Sequence, residues 1–210
     1  MCFSAPVSFG ASAVIGLTGI ATLKSVKKKN EILFAAIPLI FALQQLVEGF
    51  LWISFGHEII NPILTFIFNF IAMFGWQIIM PVSIYLLEDK KNLLRRKILL
   101  VIIFIAVIHS LFILYIMISH SINASVLYGS IRYNIPNFPL YCGFTSSITY
   151  NAVILLSFWI SSIKFIKIWG VLLLISSVLA FEFFRLMYFS VWCFFAAVLS
   201  ILIYLFFKKR

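Results

Sequence analysis

Seven long apolar stretches, separated by short clusters of charge, constrain this chain more than any other feature. A helix rises about 1.5 Å per residue, so roughly 20 apolar residues cross the hydrocarbon of a bilayer. Stretches of about that length run over 3–23, 32–55, 63–87, 98–119, 145–163, 168–184 and 187–207. The sixth stays near full length only with Glu182 and Arg185 in its outer turn. Unpaired backbone is not tolerated in lipid, and these runs are continuous rather than alternating, so helices are expected and not a β-barrel. The expected fold is all-α: one membrane domain over 1–210, built as a bundle of seven transmembrane helices.

Composition agrees. Hydrophobic residues make up 64% of the 210 and charged residues 10%, where a soluble domain carries about 25% charge. The mean hydropathy is +1.15. Too little polar surface remains to coat a water-soluble globule, which excludes a soluble enzyme and a disordered chain.

Lysine and arginine in short loops mark the cytoplasmic side. Lys24, Lys27, Lys28 and Lys29 follow the first stretch, and Lys90, Lys91, Arg95, Arg96 and Lys97 follow the third. Lys164 and Lys167 follow the fifth, and Lys208, Lys209 and Arg210 the seventh. Fourteen of the sixteen basic residues thus fall on one side, against Arg132 and Arg185 on the other. This alternation predicts an outside N-terminus and a cytoplasmic C-terminus. The net charge of +10 then reports topology, with attraction to anionic lipid as a second effect. The expected partner is the bilayer, not nucleic acid.

The N-terminal Met1-Cys2-Phe3-Ser4-Ala5 lacks the positive start of a signal peptide and reads as mature sequence. The one loop of any length, 120–144, lies outside. Its Tyr128, Arg132, Tyr133, Pro136, Pro139 and Tyr141 suit a cap at the membrane interface.

Ionisable residues at membrane depth are costly and mark candidate sites. Glu48 lies about 24 Å along a helix starting at Ile32, and Glu182 about 21 Å along one starting at Ile168, both in the outer third. Arg185 is one turn further out. His109 sits near the midplane, about 17 Å beyond Ile98. Gln44 and Glu48 share a helical face beside Gln45, with Trp52 continuing it outward. Asn69, Met73, Trp76 and Gln77 form a second stripe, and Ser147 with Asn151 a third. These stripes are expected to face the bundle interior. The bland alternatives are a Glu182–Arg185 pair at i, i+3 and interhelical hydrogen-bond glue from Gln44, Gln45, Asn69 and Asn151. A weak echo between the two ends of the chain would make Glu48 and Glu182 counterparts.

Cys2, Cys142 and Cys193 fall on the outer side, and an odd number leaves at least one thiol outside any intramolecular disulfide. Cys2 or Cys193 is a candidate nucleophile, with a buried thiol acting as a small hydrophobe as the plain alternative. Glu48, His109 and Glu182 are candidate metal ligands. No motif names a cofactor.

Met1-Cys2-Phe3-Ser4-Ala5 with Ser8-Phe9, the segment from Phe34-Ala35-Ala36-Ile37-Pro38-Leu39 to Gln44-Gln45-Leu46-Val47-Glu48-Gly49, and Ser190-Val191-Trp192-Cys193-Phe194-Phe195-Ala196-Ala197 carry a resemblance. In order and spacing the chain resembles a family of uncharacterised bacterial inner-membrane proteins. The resemblance implies a multi-span bacterial protein and adds weight to Cys2, Glu48 and Cys193. It supplies no reaction.

Three functions stay open. One is a transporter of a small solute or ion, coupled to protons or cations at Glu48 and Glu182, with Gln44, Gln45, Asn69, Gln77 and Arg185 along the path. Another is a membrane-embedded enzyme, a lipid hydrolase or acyl transferase, using a cysteine or a bound metal. The third is a sensor or assembly factor.

Overall fold

Because a bilayer offers the backbone no outside partner, apolar runs must pair their own amides and carbonyls, and helix is the local solution. The computed structural model describes residues 4–134 and 140–209, with the side chains of 140–145 outside that description. Cys2, Pro136, Pro139, Tyr141, Cys142 and Arg210 therefore lie outside the described residues, as does any role of theirs.

The described chain is predominantly helical. Helix α1 spans Ala5–Lys24. A short α2, Ile32–Ala35, leads into α3, Ile37–Ile53, with Pro38 in the first turn of α3, where its missing N–H is harmless. Helix α4, Ile60–Asn69, passes through a π-helical stretch, Phe70–Gly75, into α5, Trp76–Leu87. Helix α6 covers Leu93–Ser119, α7 Leu140–Ile160, α8 Lys164–Phe184 and α9 Tyr188–Lys208. Among the described residues five segments are long and apolar enough to cross a membrane: Ala5–Lys24, Lys29–Ile53, Ile60–Leu87, Leu93–Ser119 and Lys164–Lys208.

The last of these doubles back at a single 3-10 turn, Arg185–Met187. Trp169 Nε1 donates to the Leu199 carbonyl at 3.1 Å and Trp192 Nε1 to the Leu173 carbonyl at 3.3 Å, which fixes α8 and α9 as an antiparallel pair.

Several helices start earlier than the apolar stretches predict. Helix α6 begins at Leu93 rather than Ile98, and α8 at Lys164 rather than Ile168. Apolar length measures the hydrocarbon, whereas the hydrogen-bond ladder continues outward through basic residues whose stems remain apolar.

The expected outer cap is a β-hairpin over part of its length. Strand β1, Asn123–Leu127, pairs antiparallel with β2, Ser130–Asn134. Tyr128 and Gly129 turn it with φ of 48° and 69°, the two positive values a type I′ turn demands. The hairpin rests on the bundle through Tyr133, which stacks on Phe68 of α4 with centroids 4.7 Å apart.

Packing follows small residues and aromatic rings. Helices α1 and α3 approach closely where Ser12 donates to the Ala42 carbonyl at 2.7 Å and Gly19 lies against Leu39. Small residues at a helix seam allow this, since lipid gives helices no hydrophobic reason to associate. Phe41 stacks on Trp76 at 3.9 Å, joining α3 to α5, and Phe158 meets Trp169 edge-on at 5.2 Å, joining α7 to α8. Leu17, Leu94, Ile118 and Phe183 point outward, as side chains facing lipid would.

Candidate functional site

Glu48 is buried completely, at 0% exposure. Helix α3 carries it to a contact with α9, where Ser190 Oγ donates to Glu48 Oε1 at 2.7 Å. One turn back on its own helix, Gln45 Nε2 donates to Glu48 Oε2 at 3.2 Å. The face expected from the sequence joined Glu48 to Gln44. Instead Gln45 holds the carboxylate, and Gln44 Oε1 accepts from Trp76 Nε1 of α5 at 2.7 Å. Val47, the chain neighbour of Glu48, packs with Phe68, Ala72, Met73 and Cys193 as one apolar cluster.

The stripe on α4 and α5 faces inward as expected. Asn69, Met73, Trp76 and Gln77 are all buried. Asn69 Nδ2 donates to the Thr65 carbonyl at 2.8 Å, and Gln77 is bonded to His109 Nδ1 of α6. Not every polar atom here finds a mate. Among the described residues Gln45 Oε1, Thr65 Oγ1, Asn69 Oδ1 and His109 Nε2 are buried without a hydrogen-bond partner. Glue between helices satisfies both sides of each bond, whereas buried orphans call for water, an ion or a ligand.

The π-helical stretch lies beside this group and is held from outside. Tyr150 OH of α7 donates to the Ala72 carbonyl at 2.6 Å, and Ser110 Oγ of α6 to the Phe74 carbonyl at 3.3 Å. A π turn leaves carbonyls short of their usual donors, and such bulges gather at functional sites.

Cys193 is buried among apolar groups near Gln44 and Glu48. The cavity beside it, lined also by Phe41, Trp76 and Tyr150, measures about 20 Å³. That is room for about one water molecule and too little for an acyl group.

Glu182 and Arg185 stand elsewhere. Both are exposed, whereas Glu48 is fully buried. No ion pair joins them among the described residues. The Arg185 guanidinium lies instead over the Phe181 ring, 5.0 Å from its centroid. They border a groove of about 540 Å³ between α7 and α8. Its floor carries a closed triad: Ser177 Oγ donates to Asn151 Oδ1 at 3.1 Å, Tyr188 OH to the same oxygen at 2.9 Å, and the two hydroxyls lie 2.8 Å apart. Glu48 and Glu182, counterparts in the sequence echo, thus occupy unlike surroundings. Among the described residues no three His, Cys, Asp or Glu side chains stand together as a metal site. Glu48, His109 and Glu182 are not a joint ligand set.

No site role was legible in the sequence for Ser190, Ser177, Tyr188 or Glu88, although Ser190 opens one of the motifs that carry the resemblance. Hydroxyls on apolar helices carry no mark of their partners. Glu88 is buried at the basic end, accepting from Ser161 Oγ at 3.2 Å and from the Ser162 amide at 3.0 Å. The acidic pair Glu88-Asp89 just before the basic cluster was the available signal.

No curated protein and no solved structure matches the chain. A family model matches residues 1–210, the full length, and the chain accordingly belongs to the family of unknown function DUF6629.

Proposed function

We propose that this chain is a seven-span bacterial inner-membrane protein, N-terminus outside and C-terminus cytoplasmic, that moves a small solute or ion across the bilayer with a proton or cation carried on Glu48. Seven crossings arise if α1, α3, the α4–α5 unit, α6, α7, α8 and α9 each span. Doubling back of the last long segment supports that count, and the basic clusters at alternate helix ends support the orientation.

The observation that carries the reading is the surroundings of Glu48. A carboxylate taken wholly out of water costs several kcal/mol unless compensated. Here Ser190 and Gln45 donate to it, while among the described residues the Gln45 acceptor oxygen beside it, and that of Asn69 elsewhere in the bundle, have no hydrogen-bond partner. An acceptor held in reserve beside an acid suits a species that arrives positively charged and leaves again. Gln77 and His109 extend the polar path toward the midplane. Glu182 and Arg185 stand apart from that path.

The test is flux through the full-length protein in liposomes holding a pH-sensitive dye, with a potential imposed and a panel of small solutes supplied. Wild type is expected to move protons or a solute, and Glu48→Gln to lose at least about 90% of that movement while eluting as wild type on gel filtration. Equal flux through Glu48→Gln overturns the reading. So does the absence of any wild-type flux.

A further inference from the structure

The groove between α7 and α8 has no part in the Glu48 site. Its volume of about 540 Å³ falls within the roughly 300–1,000 Å³ usual for ligand pockets. Ile148, Leu155, Leu174, Val178 and Phe189 make its walls. Val178 is 57% exposed and Ile148 54%, so the groove opens sideways, toward lipid if the bundle spans. On the floor Asn151, Ser177 and Tyr188 lie within hydrogen-bond distance of one another, and the two hydroxyl protons are spent inside the group. It demands no ion. The cavity suits a hydrocarbon chain better than a hydrated solute.

Its mouth is different in kind. Glu182 lies 18 residues beyond the start of α8 at Lys164, about 27 Å along the axis. It stands in the last turn of α8, just before the Arg185–Met187 turn that ends the helix pair. Arg185 follows one turn later. The two charges could have neutralised each other at i, i+3, yet Arg185 lies on the Phe181 ring and Glu182 makes no ion pair among the described residues. Opposite charges held apart at the rim of an apolar groove complement a ligand with both signs at one end and a chain at the other. An anion alone would gain Arg185 but meet Glu182. A quaternary ammonium would approach Glu182 without an N–H to donate.

We propose that this groove binds one acyl chain of a phospholipid whose headgroup carries a primary amine and a phosphate, with the ammonium on Glu182 and the phosphate on Arg185. This assignment rests on the membrane placement but not on transport through Glu48.

The test is native mass spectrometry of the full-length protein released from nanodiscs. The discs hold equal parts phosphatidylethanolamine, phosphatidylglycerol and phosphatidylcholine. Wild type is expected to retain phosphatidylethanolamine at least about tenfold over the other two, the scale of one charge-assisted hydrogen bond. Val178→Trp fills the groove from an exposed position and is expected to abolish retention. Glu182→Gln and Arg185→Gln are each expected to lower it about tenfold, with Glu182→Gln shifting preference toward phosphatidylglycerol. Lys91→Gln, at the opposite end, is expected to match wild type. Equal retention of the three lipids, preference for phosphatidylglycerol in wild type, or retention untouched by Val178→Trp each overturns the assignment. Neither a failed nor a successful flux experiment bears on these outcomes.

Discussion

Ser190 and Glu48 lie 142 positions apart in the chain yet share a 2.7 Å hydrogen bond at full burial. Ser190→Ala removes that donor from Glu48 Oε1. A bond to a charged group contributes about 1.5–3 kcal/mol, so the variant should unfold at a clearly lower temperature in detergent, and Ser190→Thr should recover most of the loss. An unchanged midpoint for the alanine variant would mean that the bond contributes nothing. Glycines separate the same way. A Cβ on Gly170 would sit 2.5 Å from Phe158 Cβ, an atom fixed next to backbone, whereas one on Gly16 would meet Ala42 Cβ at an ordinary 3.5 Å. Gly170→Ala should therefore cost about 1–3 kcal/mol as overpacking, and Gly16→Ala should leave the melting curve in place. Equal curves for both would refute the close approach of α7 to α8.

At the scale of elements, the π-helical stretch depends on neighbours for its carbonyls. Tyr150→Phe deletes the hydroxyl that reaches Ala72 and should cost about 1–3 kcal/mol. Amide exchange should then quicken in the Phe70–Gly75 stretch and not in α1, and uniform protection would refute that dependence. The helices themselves were legible, because a continuous apolar run of span length allows few other solutions. This irregular stretch was not, since Phe70-Ile71-Ala72-Met73-Phe74-Gly75 reads like any other apolar segment. The hairpin was missed for a different reason. Its strands have five residues each, and Tyr128-Gly129 is weaker than the Asn-Gly or Asp-Gly signal of a type I′ turn. Buried polar candidates could be named from the sequence because charge at membrane depth is rare. Their partners could not, because helix rotation decides that Gln45 rather than Gln44 faces Glu48, and that Glu182 faces outward.

Across the whole molecule, the basic end is tied by one network. Glu88 joins the end of α5 to the turn after α7, Arg95 Nη1 donates to the Ile160 carbonyl at 2.9 Å, and Asn30 Nδ2 reaches the Leu86 carbonyl at 3.0 Å. Arg96 donates to the Tyr85 and Glu88 carbonyls while lying 4.0 Å above the Tyr85 ring centroid. Glu88→Ala should loosen several helices together, seen as a lower and broader unfolding transition, and a sharp wild-type transition would count against the network. The proposed orientation has its own test. A cysteine at His57 should react with a membrane-impermeant maleimide in intact cells, and one at Lys90 only after lysis. The reverse pattern would invert the topology. The turn between α8 and α9 has a last consequence, for biogenesis. Three residues, Arg185–Met187, leave no slack for a loop. If both helices span, neither can enter the bilayer ahead of the other. Arg185 must then be carried across at the leading tip of the pair, a penalty of about 2.5–3.5 kcal/mol at the bilayer centre that two apolar arms emerging together can offset. A chain halted between the two helices should leave α8 stranded in the translocation machinery rather than released into lipid.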